Sequence, residues 1–170
     1  MQVITHAELR SLFESVTGGS SKEWEFFDPR YAASLGGLRE HGSKRLPYPA
    51  DSGQARYFVR SLMGLLESGP FVVFISNTEI FPSCSHMPLA NALRVSWGER
   101  RSFSEAPAHL FLPDEVEEAV SLSLLAVLFF WEAWLLSSDL GVIINLSHDE
   151  RAEIWSADSD RVAAVIAELS

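Results

Sequence analysis

The chain has 170 residues, 47% of them hydrophobic and 21% charged, the profile of an ordinary globular domain and not of a disordered or fibrous one. Its single cysteine, Cys84, excludes an intramolecular disulfide and argues against a cysteine-based zinc site; a chain of this length buries about 70% of its unfolded surface and needs neither. The formal net charge of −10 is unevenly placed: residues 1–101 carry 11 Lys/Arg against 10 Asp/Glu, whereas residues 102–170 carry 2 against 13. The acidic C-terminal portion repels a phosphate backbone, so no nucleic-acid partner is expected; it attracts a basic protein surface and speeds the encounter.

In chain order, the opening MQVITHAELR lacks the basic start and apolar stretch of a secretory signal, and with the lone cysteine this points to a cytoplasmic location. Thr5 and Glu8 have the spacing of a capping box, and Leu9, Leu12, Phe13 and Val16 follow at helical spacing until Gly18-Gly19. Residues 20–53 hold most of the turn signals, interleaved with Trp24, Phe26, Phe27, Tyr31 and Tyr48; this segment is expected to be irregular but packed on the domain. A helix is predicted from Asp51 to Ser68 on the stripe Ala55, Phe58, Leu62, Leu65 and Leu66. FVVFIS, residues 71–76, has no polar face and predicts a strand covered on both sides. A short helix is predicted from Pro88, and another from Asp114 to about Ser123, with acids in its first turn.

The stretch 119–138 is the one membrane suspect. Its uncharged run ends before Glu132, short of the ~20 residues a spanning helix needs, and acids with no Lys or Arg flank it, so no span is expected. Residues 125–136 instead predict a strand, 142–146 a second after the turn at 137–141, and 151–156 a third after the turn at 147–150. Asp158 or Ser159 then opens a last helix with the stripe Val162, Val165, Ile166 and Leu169. The expectation is one α+β domain with an antiparallel β-meander in its C-terminal half, packed with helices.

The turn Ser147-His148-Asp149-Glu150 is written in catalytic letters. Consecutive residues on a strand cannot converge, and in a tight turn they project outward, so the stretch is not a self-contained triad; no G-x-S-x-G elbow surrounds the serine. Ser147 and Asp149 are expected to make local backbone hydrogen bonds. His148 could still act as a general base with a nearby carboxylate, in a small hydrolase or transferase. Cys84, His86 and His109 lack metal-ligand spacing, and no phosphate loop or dinucleotide fingerprint occurs, so neither metal nor cofactor is expected.

Alternation on the third strand places Ala152 and Ile154 toward the core and Arg151, Glu153 and Trp155 on the other face. There Trp155 is either an aromatic anchor among acids for a basic partner or is covered by the last helix. The candidate contacts are Asp139, Asp149, Glu150, Glu153, Trp155, Asp158 and Asp160. The segment WEAWLLSSDLGVIINLSHDERAEIW, residues 131–155, resembles the strand-turn-strand pattern of small acidic bacterial immunity proteins from polymorphic toxin systems. That resemblance implies a cytoplasmic protein that binds one cognate toxin domain, often a basic one, and blocks its active site.

Overall fold

The computed structural model describes residues 2–5, 7–9, 11, 43–77, 87–103, 105–137, 141–156 and 158–169. Their organising feature is a seven-stranded sheet in which every pairing is antiparallel. In chain order the strands are β1 (Gln2–Ile4), β2 (Ser43–Pro47), β3 (Phe71–Asn77), β4 (Ala108–Phe111), β5 (Glu132–Ser137), β6 (Val142–Ser147) and β7 (Arg151–Ser156), and across the sheet they run β1-β4-β3-β5-β6-β7-β2. The helices are α1 (Ser52–Met63), α2 (Met87–Ser96), α3 (Val116–Leu128) and α4 (Ser159–Leu169), with a 3-10 turn at Pro113–Glu115 before α3. The expected α+β class and the meander β5-β6-β7 are present.

The main core lies on one face of the sheet. Phe71, Val73 and Ile75 of β3, Leu135 of β5, Ile144 and Leu146 of β6 and Ile154 of β7 meet Phe58, Val59 and Leu62 of α1 and Val120, Leu122 and Ala126 of α3. Val162, Val165, Ile166 and Leu169 of α4 join this cluster, the stripe that the sequence predicts. On the opposite face Val72, Phe74, Trp134, Leu136 and Ile143 are buried together with Ile4 and Leu9. The five apolar residues of FVVFIS therefore divide between two cores, as a strand covered on both sides must, while Ser76 is exposed.

Local signals account for several helix starts. Asp51 caps α1 by accepting from the Gly53 amide at 2.8 Å. Thr5 and Glu8 form the capping box: the Glu8 carboxylate accepts from the Thr5 amide at 2.7 Å, and the Glu8 amide donates to Thr5 Oγ1 at 3.3 Å. α1 stops at Met63, before the predicted Ser68, and residues 64–68 continue as turns that bury Leu65 and Leu66. α2 begins at Met87, one residue before Pro88.

The largest correction falls between α3 and β5. Residues 125–136 are not one strand: the helix continues to Leu128 and the strand begins at Glu132. The reversal is made by Phe130, whose φ of 54° is left-handed, and by the Trp131 amide, which donates back to the Ala126 carbonyl at 2.9 Å. This is the six-to-one bond of a Schellman ending, with phenylalanine where glycine is usual. Strands β1, β2 and β4 were not predicted either, and β2 replaces part of the irregular stretch expected at 20–53. The predicted core residues Leu12, Phe13 and Val16, the glycine pair 18–19, and Trp24, Phe26, Phe27 and Tyr31 lie outside the described residues. Among the described residues no helix is long and apolar enough to cross a membrane.

Candidate functional site

The start of β5, the end of β6 and the start of β7 meet at one end of the sheet. Ser147 pairs with Arg151, so β6 and β7 are joined by the three residues His148, Asp149 and Glu150. Three-residue hairpin loops commonly pair a type I turn with a left-handed residue. Here that residue is Glu150, at φ 59°. Two backbone contacts fix the loop: the Tyr48 amide donates to the Glu150 carbonyl at 2.8 Å, and the Asp149 amide donates to Ser147 Oγ at 3.2 Å. The latter is the local bond expected of these residue types.

A left-handed glutamate is strained by about 1–2 kcal/mol relative to glycine. Glu150→Gly is therefore expected to raise stability, by a few tenths to about 1 kcal/mol once the added freedom of the unfolded chain is subtracted. Urea denaturation at neutral pH measures this; a loss of stability would show that the Glu150 side chain holds the turn.

Behind the turn stands Glu132, the first residue of β5. Its Oε1 accepts from Asn145 Nδ2 at 2.7 Å, and its Oε2 faces His148 Nδ1 at 2.9 Å and the His148 amide at 3.4 Å. The other ring nitrogen, Nε2, lies 3.5 Å from Asp149 Oδ1, and Asp149 Oδ2 in turn pairs with Arg151 Nη2 at 2.9 Å. The result is a chain of alternating charge and dipole: Asn145, Glu132, His148, Asp149, Arg151. Tyr48 borders it, with its ring edge-on to Phe58 and its buried hydroxyl without a hydrogen-bond partner among the described residues. Burial first, then the Glu132 carboxylate, push that phenol above its ordinary range, so it stays neutral.

The sequence candidates do not form one patch. Asp149 and Glu150 are exposed on the turn. Glu153 and Trp155 do share a face, as alternation predicts, but Glu153 is nearly buried: it accepts from Ser43 Oγ at 2.5 Å and from Arg45 Nε at 3.0 Å across the β2–β7 pairing. Trp155 is half-buried and stacks on Trp134 with centroids 6.2 Å apart. The last helix does not cover it, because α4 packs on the opposite face of the sheet. Asp158 and Asp160 are exposed around the start of α4, where Asp158 Oδ1 accepts from the Arg161 amide at 2.9 Å. They stand beyond the far end of β7, some 17–20 Å from the turn at strand rise. Asp139, Cys84 and His86 lie outside the described residues. Glu132, the residue that sequence reasoning missed, is 16 positions from His148 and arrives only through the β5–β6 pairing.

A second polar centre is enclosed in the main core. Arg94 of α2 is fully buried; its Nε donates to His109 Nε2 at 3.1 Å, Nη1 to the Arg101 carbonyl at 2.9 Å and Nη2 to the Ala106 carbonyl at 2.7 Å, and its guanidinium lies 4.1 Å over the Phe103 ring. His109 sits among Trp97, Phe103 and Phe111. Burial, and secondarily the Arg94 charge, push its pKa down to about 3. Among the described residues no carboxylate bonds Arg94 directly; Glu99 acts on it through space and is itself held by Arg101, which lowers the Glu99 pKa to about 2. Arg94 and His109 are closed to solvent and join α2 to β4, the place of a structural bond.

Among the described residues no three His, Cys, Asp or Glu side chains are placed to hold a metal ion. No protein-family model, curated protein or solved structure matches the chain.

Proposed function

We propose that this is a protein-binding domain that docks through the turn at 148–150, and in its most specific form an immunity protein that occludes the active site of one cognate bacterial toxin. A cytoplasmic location and a basic partner go with this reading. One observation carries it: two exposed carboxylates, Asp149 and Glu150, are presented on a turn already fixed by the Tyr48, Ser147, Glu132 and Arg151 contacts. A pre-ordered loop loses little entropy on binding, and the 2-against-13 imbalance of residues 102–170 supplies long-range attraction for a cationic surface. The resemblance of residues 131–155 to immunity proteins supports the same reading.

Asp149 and Glu150 are the contacts to test. Asp158 and Asp160 contribute to steering from the other end of β7, whereas the Glu153 carboxylate is engaged by Arg45 and charge reversal there disturbs the sheet edge. With the protein as bait in native host lysate, a stoichiometric basic partner is expected, released as salt rises. Asp149→Lys combined with Glu150→Lys is expected to weaken capture at least tenfold and flatten its salt dependence. A partner held equally well by this double variant would remove the turn from the interface.

A second reading rests on the Glu132–His148 contact. A carboxylate on Nδ1 orients an imidazole as a general base, so the same geometry suits a hydrolase or transferase. Against it, Asp149 stands at Nε2, where a substrate proton would be taken, and Ser147 Oγ already accepts from the Asp149 amide. Turnover of an ester or phosphodiester that disappears in His148→Gln would favour this reading over docking.

A further inference from the structure

We propose that His148 is a proton-operated clasp on the docking turn, an inference that rests on the role given to that turn above. Each ring nitrogen faces a different carboxylate: Nδ1 is 2.9 Å from Glu132 Oε2, and Nε2 is 3.5 Å from Asp149 Oδ1. A protonated imidazole carries two N–H groups and donates to both; a neutral one carries a single N–H and donates to one only. The shorter contact decides which survives. Glu132 is also fixed by Asn145 and by the His148 amide, so the neutral ring keeps Glu132. Its Nε2 lone pair then faces a carboxylate oxygen, which is repulsive, and Asp149 is left to Arg151 and to water.

Among the described residues the ring faces Glu132 from β5 and Asp149 from the turn; Arg151 of β7 reaches it only through Asp149, Glu150 is exposed on the turn, and the Tyr48 phenol beside Glu132 is neutral. The ring is 39% exposed, so it exchanges protons with solvent directly. Histidine changes charge within the physiological range. On acidification the clasp closes: the turn gains a positive charge and Asp149 is drawn onto the ring, leaving Glu150 as the outward carboxylate. On neutralisation it opens and presents two. A cationic partner is thus held more tightly at the higher pH and released by acid.

Nuclear magnetic resonance on the free, full-length protein tests this without any partner. With labelled histidine nitrogens and aspartate carboxyl carbons, the neutral His148 ring is expected to carry its proton on Nδ1. The Asp149 carboxyl carbon is expected to move with the same midpoint as the His148 ring, wherever that lies, and that movement to vanish in His148→Gln. Glu132→Gln is expected to weaken the Nδ1 preference, which separates a positioned ring from a freely rotating one. Asp149 signals that stay flat while the ring titrates, or a neutral ring protonated on Nε2, overturn the clasp. Because no binding is measured, these results stand whether or not docking at 148–150 is correct.

Discussion

Lowering the pH from 6.5 to 5 is expected to destabilise the fold by about 2 kcal/mol through His109 alone. The buried ring stays neutral down to about pH 3 in the folded protein, whereas the unfolded chain takes up the proton near 6.5. Between those values the unfolded state binds one more proton, so stability falls by about 1.4 kcal/mol for each unit of acidification. The contribution is complete above 6.5 and fully lost below about 3. Glu99 has the opposite placement: its folded pKa lies below its ordinary 4.5, so its contribution is lost only as pH falls from there toward 2. The window from 6.5 to 5 therefore isolates the histidine from the depressed carboxylates. In His109→Gln, which keeps an acceptor for Arg94 but cannot titrate, about 2 kcal/mol of that pH dependence is expected to disappear. Urea denaturation of both proteins at the two pH values measures it, and equal slopes would mean that the ring is not buried neutral.

Arg94→Ala is expected to cost about 4 kcal/mol, a large part of the 5–15 kcal/mol that holds a typical domain folded. The change removes three hydrogen bonds and leaves His109 Nε2 and the Arg101 and Ala106 carbonyls without their donor. Each unsatisfied buried group costs about 1–3 kcal/mol, and the cavity beside Phe103 adds to this. Arg94→Lys is expected to recover only part of the loss, because an ammonium cannot reproduce the fork that reaches all three acceptors. A urea midpoint that drops while the m-value is unchanged is the expected signature. A loss under about 1 kcal/mol would show that the acceptors find water instead.

The sequence exposes those elements that bury a regular face. α1, α4, β3, β6 and β7 each carry a stripe or a run that only one kind of element can bury. β2 does not: SKRLP has one buried residue, Leu46, and is a strand only because β7 lies beside it. β4, at four residues, carries a histidine that reads as polar until Arg94 is placed against it. The α3–β5 boundary is hidden for a different reason: residues 124–131 are apolar almost without a break, so no periodicity separates helix from strand. The stop is a left-handed phenylalanine, and no glycine marks it.

The candidate site was legible to the same extent. The turn, its outward acids and its serine–amide bond follow from residue types alone. Counting faces along β7 also puts Glu153 beside Trp155. That Glu153 is neutralised depends on Arg45, 108 positions earlier, and that His148 is oriented depends on a glutamate in the neighbouring strand. Neither partner can be named until the register is known. One local signal was available: Glu132 interrupts an otherwise apolar stretch, and a carboxylate at the head of a buried strand needs a donor.

The order of strands across the sheet has a kinetic consequence. β1 and β2, consecutive among the described strands, occupy opposite edges of the described sheet, and β2 pairs with a strand more than a hundred positions downstream. During synthesis both strands leave the ribosome long before β4 and β7 exist to receive them. The hairpins β5–β6 and β6–β7 close over a few residues and are suited to form first, with the edges added last, since distant pairings carry the larger loop-closure entropy. Until β7 is made, the backbone at the Tyr48–Glu150 contact has no counterpart, so the turn at 148–150 reaches its final shape only when the N-terminal edge docks.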